Sequence, residues 1–595
     1  MDNRLYLNKG NWHFEDVTEA AGVASADSWS TGVAVVDIDA DGDQDIYVCK
    51  AGPPAGEQIA GMTGVRHNEL FLNNGDATFR EASAEFGLDI VGLSVQAAFF
   101  DYDQDGDLDC YLLNNSTRST TGYNAKKGLR EIPDPEGGNK LLRNMTMERA
   151  LRSASPSVSA SLTTSSLSSG EGLGEVERAK RASTATTPAT SVQPTFEDAT
   201  QSANIYSSAI GFGLGVTVGD INEDGLPDLF VSNDYFERDY LYFNNGDGTF
   251  KEDLIAHMPE ISKGSMGADF ADLTGDGLPE LFVTEMLPRT EKRRKTKAAF
   301  DNWNRYQLYR DEGYHQQFSR NVLQWNRGGG RFSEIGRMVG VDATDWSWGA
   351  LLFDMDNDGK RDIFVANGVG KDLLDQDYIN FDANPAAIRR LIKDEGKTIT
   401  DLIDKIPSEK LVNGVFTKWK DSYGFRDVAE EWGFGEPTFS NGAAYGDLDN
   451  DGDLDLVVNN IDGLAGVYRN NTDSEGFTLH LRSRQKYNPD AIGAQVFCRT
   501  YDIFAYSELH PMRGFQSTMD KRLHFAQQPD SLLVRWPDGK WETFVSPDNK
   551  IEQGTGLART QDAKEAFRTG DPAGDEDIET CPPVETQELK NIVHE

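Results

Sequence analysis

Residues 37–45 read DIDADGDQD, and the same form, DxDxDGxxD, returns at 101–109 (DYDQDGDLD), 220–228 (DINEDGLPD), 272–280 (DLTGDGLPE), 354–362 (DMDNDGKRD) and 447–455 (DLDNDGDLD). The third and fourth copies are looser, with Asn222 and Thr274 at the third position. Each copy follows a short run of small and apolar residues, such as VAVV at 33–36, and precedes another, such as IYV, LFV, IFV or LVV. Such runs, bounded by Asp and Gly, read as strands, so each acidic stretch is a loop joining two strands.

A second signature lies between the loops. An NxLxxN run at 68–73, 139–144 and 321–326 usually leads through a glycine turn into a Phe-x-acid triplet, headed in the six copies by Phe14, Phe79, Phe196, Phe250, Phe332 and Phe425. The unit is therefore strand, acidic loop, strand, strand, turn, strand: one four-stranded antiparallel sheet, the size of a propeller blade. The expected fold is all-β, a six- or seven-bladed β-propeller over residues 1–470, followed by a small β-domain at 473–558. Loop starts lie 52 to 119 residues apart, so the longer intervals carry insertions. Residues 147–194, rich in Ser, Thr and Ala, read as a disordered excursion. Residues 286–320 contain EKRRKTK at 291–297, a solvated loop on this reading, and residues 370–412 contain helix-like segments. Residues 560–595 read as a disordered acidic tail. The chain opens with LYLNKGNWHFEDV, a third-and-fourth-strand pair without its own acidic loop. Either this hairpin closes the ring against the last sheet, or the N-terminus is incomplete.

Three to five carboxylates within nine residues repel one another by about 1 kcal/mol per close pair even in water, unless a cation sits among them. At this spacing the side chains at positions 1, 3, 5 and 9 and the carbonyl at 7 can converge, with glycine at 6 allowing the sharp turn. The candidate metal ligands are Asp37, Asp39, Asp41, Asp43 and Asp45; Asp101, Asp103, Asp105, Asp107 and Asp109; Asp220, Asn222, Asp224 and Asp228; Asp272, Thr274, Asp276 and Glu280; Asp354, Asp356, Asp358 and Asp362; and Asp447, Asp449, Asp451, Asp453 and Asp455. Hard oxygen donors without His or Cys select Ca2+ over zinc or copper, giving up to six calcium sites. The EF-hand competes for this pattern but requires a bidentate Glu at position 12. Position 12 here is Val48, Leu112, Val231, Val283, Val365 and Val458, so each loop runs on into a buried strand instead. The bland alternative, plain Asp-Gly turns, is more tenable for the two looser loops than for the strict ones.

The whole-chain totals agree. A formal charge of −40, from 98 acidic and 58 basic residues, argues against phosphate-backbone binding, and no nucleic-acid partner is expected. Cys49, Cys110, Cys498 and Cys581 are scattered and suggest neither zinc nor a disulfide framework. No run approaches the ~18 apolar residues of a membrane span, and no signal peptide is visible at Met1, so no membrane insertion is expected.

The loops and their flanking strands resemble the FG-GAP and VCBS repeats of integrin-alpha-type propellers. Downstream, DAIGAQV at 490–496, RGFQST at 513–518, LHFA at 523–526 and VRWPDGKWETF at 534–544 resemble the ASPIC/UnbV domain of the cartilage acidic protein family. HQQFSRNVLQWN and ATDWSWGALLFDMDNDG resemble the large bacterial surface proteins that combine the two. The resemblance implies an extracellular or cell-surface location, calcium in every strict loop, and a role in binding or adhesion. It supplies no ligand. Sequons at Asn114, Asn115, Asn144 and Asn470 would permit glycosylation in a eukaryotic secretory pathway.

The functional reading is a calcium-binding module for a protein or glycan. No Ser/His/Asp grouping, P-loop or zinc motif is present, so no enzyme is expected. Trp346 and Trp348 could stack on sugar rings, although packing between sheets is the more economical use. The alternative is a calcium-dependent polysaccharide lyase or hydrolase using a carboxylate pair, a signal with little specificity in so acidic a chain.

Overall fold

The computed structural model describes residues 3–25, 28–51, 67–116, 128–154, 194–298, 302–390, 398–418, 424–472, 476–500 and 503–569. The acidic loops sit where the sequence places them, between the first and second strands of successive antiparallel sheets. The first sheet comprises Ser30–Val36, Asp45–Lys50, Glu69–Asn73 and Phe79–Glu81 in that order. Four more four-stranded sheets begin at Ser94–Phe100, Gly213–Gly219, Ala268–Ala271 and Ser347–Phe353, and a three-stranded sixth at Ser440–Gly446. At the N-terminus, β1 (Tyr6–Asn8) and β2 (Phe14–Asp16) form a separate hairpin.

The small residues of the first strands have a steric reason. A Cβ on Gly32 would lie 2.4 Å from the carbonyl of Val95 in the second sheet; one on Gly267 would lie 2.5 Å from that of Trp348, and one on Gly349 would lie 2.9 Å from that of Asn441. Neighbouring first strands thus approach backbone to backbone, which only glycine permits. At Gly442 of the sixth sheet the nearest neighbours are Phe515 and Ser517 of the C-terminal domain. There a hairpin, Met512–Arg513 with Ser517–Thr518, stands in the position of a first strand. Its Thr518 Oγ1 donates to the Val33 carbonyl of the first sheet (2.8 Å), and Val33 N donates to Gln516 O (3.3 Å).

The NxLxxN run is a pair of staples. Its first Asn accepts a backbone N–H at or just beyond the end of the second strand, as in Lys50 N to Asn68 Oδ1 (2.8 Å), Asn114 N to Asn139 Oδ1 (3.0 Å) and Glu285 N to Asn321 Oδ1 (2.8 Å). Its last Asn donates through Nδ2 to the carbonyl of the eighth loop residue, as in Asn73 to Gln44, Asn144 to Leu108 and Asn326 to Pro279. Buried amide groups satisfied this way hold the third strand in register with the second.

The C-terminal domain packs a five-stranded sheet, ordered 504–508, 495–499, 531–535, 541–545, 557–559, onto a three-stranded one, ordered 523–525, 477–482, 550–552. Both contribute to one core around Leu479, Val496, Leu532 and the fully buried Trp536.

Four expectations are corrected. Residues Thr146–Ala154, expected to begin the disordered excursion, form a helix; residues 155–193 lie outside the described residues. The tail contributes a helix, Ala563–Thr569, whose Phe567 packs on the C-terminal domain; residues 570–595, including Cys581, lie outside the described residues. The basic run is the helix Glu291–Lys297, not a solvated loop. Its Arg293 is buried and bonds Asp345 (2.7 Å) and Asp372 (3.1 Å), while Lys297 pairs with Asp372 (3.2 Å). Three of the sequons are structural: Asn114, Asn144 and Asn470 spend their amides on Gly138, Leu108 and Met355 carbonyls, and the first two are buried. Helices Pro385–Arg389 and Ile399–Asp404 agree with the helix-like reading of the 370–412 insertion.

Candidate metal centres

Each loop folds around its own carboxylates. In the first, Asp37 accepts from the N–H groups of Asp41 (3.1 Å) and Gly42 (3.1 Å), Asp41 accepts from Asp43 N (2.9 Å), and Asp45 accepts from Ile38 N (3.0 Å) and Asn73 N (2.8 Å). The fifth repeats the pattern: Asp358 N (3.1 Å) and Gly359 N (2.9 Å) to Asp354, Lys360 N to Asp358 (2.8 Å), Met355 N to Asp362 (3.0 Å). The turn has two left-handed residues. Glycine supplies the sixth position, with φ 104° at Gly42 and 83° at Gly359, while Ala40, Gln104, Glu223, Asn357 and Asn450 take φ of 54° to 66° at the fourth.

In the four strict loops this brings three carboxylates together: Asp37, Asp39 and Asp41; Asp101, Asp103 and Asp109; Asp354, Asp356 and Asp362; Asp447, Asp449 and Asp455. Within each set the oxygens lie within 4.8 Å of one another. The remaining acidic candidates of these loops are outside the sets. Asp107 accepts Met147 N (2.8 Å), Asp43 faces the turn at Gly75, and Asp45, Asp105, Asp358, Asp451 and Asp453 complete the loops through hydrogen bonds or reach beyond the sets. The looser third and fourth loops, with Asp220, Asn222, Asp224 and Asp228 and with Asp272, Thr274, Asp276 and Glu280, form no such acidic set among the described residues.

Burial makes these groups poor anions. It pushes Asp37 up to about 6, with Asp490 of the C-terminal domain adding repulsion, and Asp45 and Asp354 up to about 7. Asp101, Asp109, Asp228, Glu280 and Asp362 are driven well above the carboxylate range, by burial first and then by neighbouring carboxylates, against hydrogen bonds that pull the other way. Several buried oxygens have no donor at all: Oδ1 of Asp101, Asp103, Asp220, Asp449 and Asp453, Oε1 of Glu280 and Oγ1 of Thr274. Acceptors held in apolar surroundings without a donor are what a divalent cation satisfies, and the all-oxygen set suits calcium. By convergence of charge the residues fit the ion in the four strict loops; in the third and fourth fewer carboxylates converge, although Asp220, Thr274 and Glu280 there also hold buried acceptors without a donor.

Sequence reasoning missed what lies over the loops. The C-terminal domain reaches every one of them: Gln44 Nε2 donates to Asp490 (2.8 Å), Asp107 bridges Tyr487, and Gln495 Nε2 donates to Asp220 (2.8 Å). Gly277 packs on the Phe504 ring, Arg361 Nη2 donates to Tyr506 O (2.9 Å), and Arg522 Nη2 donates to Asp447 O (3.0 Å). Trp346 and Trp348 do not form an open platform. Trp348 donates to Gly368 O (2.6 Å) and lies 5.2 Å from the ring of Phe515 on the inserted hairpin.

Residues 1–48, 220–283 and 313–365 match the family described as FG-GAP-like repeat, and residues 484–560 match ASPIC and UnbV. The chain carries FG-GAP-like repeats and closes with an ASPIC and UnbV domain. It is 25% identical over 348 residues to cartilage acidic protein 1 of Xenopus tropicalis, covering 57% of this chain and 44% of that protein. To the Homo sapiens protein of the same name it is 25% identical over 340 residues, 55% of this chain and 41% of that one. The chain thus spans less than half the length of these relatives. An Agrocybe aegerita lectin structure aligns at 15% identity over 82% of this chain and 90% of that one, with a TM-score of 0.30. No helix among the described residues is long and apolar enough to cross a membrane.

Proposed function

We propose that this FG-GAP and ASPIC/UnbV chain is a calcium-loaded β-propeller with seven sheet positions, acting outside the cell as a non-catalytic binding or adhesion module for a protein or glycan. The observation that carries the calcium reading is the convergence of three carboxylates in each strict loop, with oxygens within 4.8 Å. Seven positions are supported by the hairpin of β1 and β2. Asn8 Nδ2 donates to the carbonyl of Leu448, the second residue of the sixth loop (2.7 Å). Asn244 of the third sheet makes the same bond to Tyr102 of the second loop, and Asn470 of the sixth to Met355 of the fifth. The hairpin therefore follows the sixth sheet as each sheet follows the one before. The extracellular setting rests on the relationship to cartilage acidic protein 1 and on calcium demand. Loops of this kind in extracellular modules bind in roughly the 10⁻⁴ to 10⁻³ M range, a concentration met outside cells.

Isothermal titration of calcium into chelator-treated protein tests the reading. Uptake of at least four ions per chain is expected, and the absence of any uptake would end it. Protein and glycan arrays run with and without calcium, scored for both retention and new reducing ends, separate a binding module from a polysaccharide-active enzyme.

A further inference from the structure

The insertion between the second and third strands of the fourth sheet carries a second helix, Trp303–Asp311, capped by Asn302, whose side chain accepts Arg305 N (2.9 Å). A surface helix ordinarily lays an apolar stripe on the core. This one buries none of its nine residues, although Trp303, Tyr306, Leu308 and Tyr309 are among them; Trp303 is 70% exposed and Leu308 50%. Trp303, Tyr306 and Arg310 recur three and four residues apart and so share one face of the helix. Their rings continue a stack that begins in the body of the protein. The Arg320 guanidinium lies over the Phe318 ring (4.9 Å), Phe318 lies 6.0 Å from Tyr306 at 25°, and Tyr306 lies 5.5 Å from Trp303 at 31°. Arg320 is buried and pairs with Glu260 (2.8 Å) and Glu334 (3.0 Å), so the inner end of the stack is fixed while its outer end, Trp303, faces solvent. On the flank of the helix Tyr309 stacks on Phe236 (6.4 Å, 19°). An exposed indole held in place by stacked neighbours is preorganised to receive one more flat ring.

Charge narrows what that ring belongs to. In a chain of formal charge −40, residues 289–310 hold eight basic side chains against two acidic ones. Arg289, Arg293, Lys295 and Lys297 are spent on carboxylates of the protein itself. Arg310 is exposed, and among the described residues its guanidinium donates to the Tyr306 hydroxyl (3.5 Å) and to no carboxylate. At 1.5 Å of rise per residue, Trp303 and Arg310 stand about 10 Å apart along the helix axis. The face therefore asks for a flat apolar surface at one end and an anion at the other, with phenol and guanidinium groups between them. An apolar helix or strand would leave those groups desolvated and unpaired. A chain of acidic sugars satisfies them, since a pyranose presents C–H groups on its face and hydroxyls and a carboxylate at its edge.

We infer that the Trp303, Tyr306 and Arg310 face of this helix is a binding site for an anionic polysaccharide. One sugar ring lies on the outer face of Trp303 and extends the stack, and a carboxylate or sulfate further along the same saccharide pairs with the Arg310 guanidinium. Because the two contacts are separated by more than one sugar, the site takes an oligosaccharide and not a monosaccharide. The inference rests on the reading of the chain as a binding module and narrows its partner; it does not involve the calcium loops.

Fluorescence anisotropy of a fluorescein-labelled galacturonate hexasaccharide, titrated with the full chain, provides the test. Saturable binding is expected, weakening as salt rises and weakened about ten-fold by Trp303→Ala and by Arg310→Gln. Both side chains are exposed, so neither variant should change the melting temperature, and lost binding is then not lost folding. Competition by dextran sulfate with the same dependence on Trp303 and Arg310 would support the site and identify sulfate as an anion it accepts. Absence of saturable binding by both anionic glycans, equal binding of neutral maltohexaose, or undiminished binding to the two variants would overturn the inference. So would capture of anionic phospholipid vesicles through Trp303 when neither glycan binds, because the face would then belong to a membrane surface. The two layers fail separately. If a glycan array retains the protein with no dependence on Trp303, the module reading stands and this site falls. If new reducing ends appear, the non-catalytic reading falls, and binding lost in Trp303→Ala would still place the saccharide on this helix.

Discussion

Gln495 of the C-terminal domain donates its side-chain amide to Asp220, the first carboxylate of the third acidic loop, at 2.8 Å, and both residues are buried. Asp220 N in turn donates to Glu508 of the same domain (3.0 Å). A loop that forms no converging acidic set among the described residues is therefore tied directly to the C-terminal domain, and there loop geometry and domain docking share one set of hydrogen bonds.

Replacing Gln495 with Ala leaves a carboxylate oxygen buried without that donor, at a cost of about 1–3 kcal/mol. Gln495→Ala should lower the urea midpoint in calcium and raise hydrogen exchange in residues 512–518, the hairpin that the same domain inserts. An unchanged midpoint would mean that the contact does not hold the domain down.

Asp354 accepts from Asp358 N and Gly359 N and belongs to a converging carboxylate set. Asp354→Ala removes both acceptors and a metal ligand together, so it should lower Tm even in excess calcium, by the equivalent of about 2 kcal/mol or more. It should also take one ion from the titration stoichiometry. Asp354→Asn, which retains an acceptor oxygen, should lose the ion but less of the calcium-free stability.

The acidic loops, their strands and the order of the two domains are legible from the sequence because the signals are local: carboxylate spacing, one glycine, and the apolar residue at position 12. What stays hidden is nonlocal. Arg293 reads as solvated because its partners Asp345 and Glu409 lie 52 and 116 residues downstream. The inserted hairpin carries no periodic signal in RGFQST, and the neighbours that define it are the first strands of sheets far earlier in the chain. The left-handed fourth position of the loops is hidden for another reason. Ala40 and Gln104 adopt it without the glycine that would announce it, held by the hydrogen bonds on either side.

Phe515 carries the apolar contact of the inserted hairpin. It is 5% exposed and packs against Leu214, Met266 and Trp348, residues of the third to fifth sheets. Truncating a buried aromatic typically costs about 3–5 kcal/mol. Phe515→Ala should therefore destabilise the six-sheet body as well as the C-terminal domain, seen as a shift of one cooperative transition. Two separated transitions, with only the later sequence affected, would show that the hairpin is a passenger.

The raised carboxylates make stability depend on pH in a direction that calcium reverses. Asp37 is pushed up to about 6 and Asp45 and Asp354 to about 7 by burial, against about 3.9 for Asp in an unfolded chain. Between those values the folded state holds protons that the unfolded state has released. Stability then falls as pH rises, and the contribution present below about pH 4 is gone above about pH 7. In chelator, Tm should therefore decline from pH 5 to pH 8. In millimolar calcium the ion takes the place of those protons and binds better as they leave, so the decline should vanish or invert. Differential scanning fluorimetry across that range, with and without chelator, checks both arms. A Tm in chelator that climbs with pH would mean that these carboxylates are stabilised as anions by the protein alone, and that the loops do not require a cation.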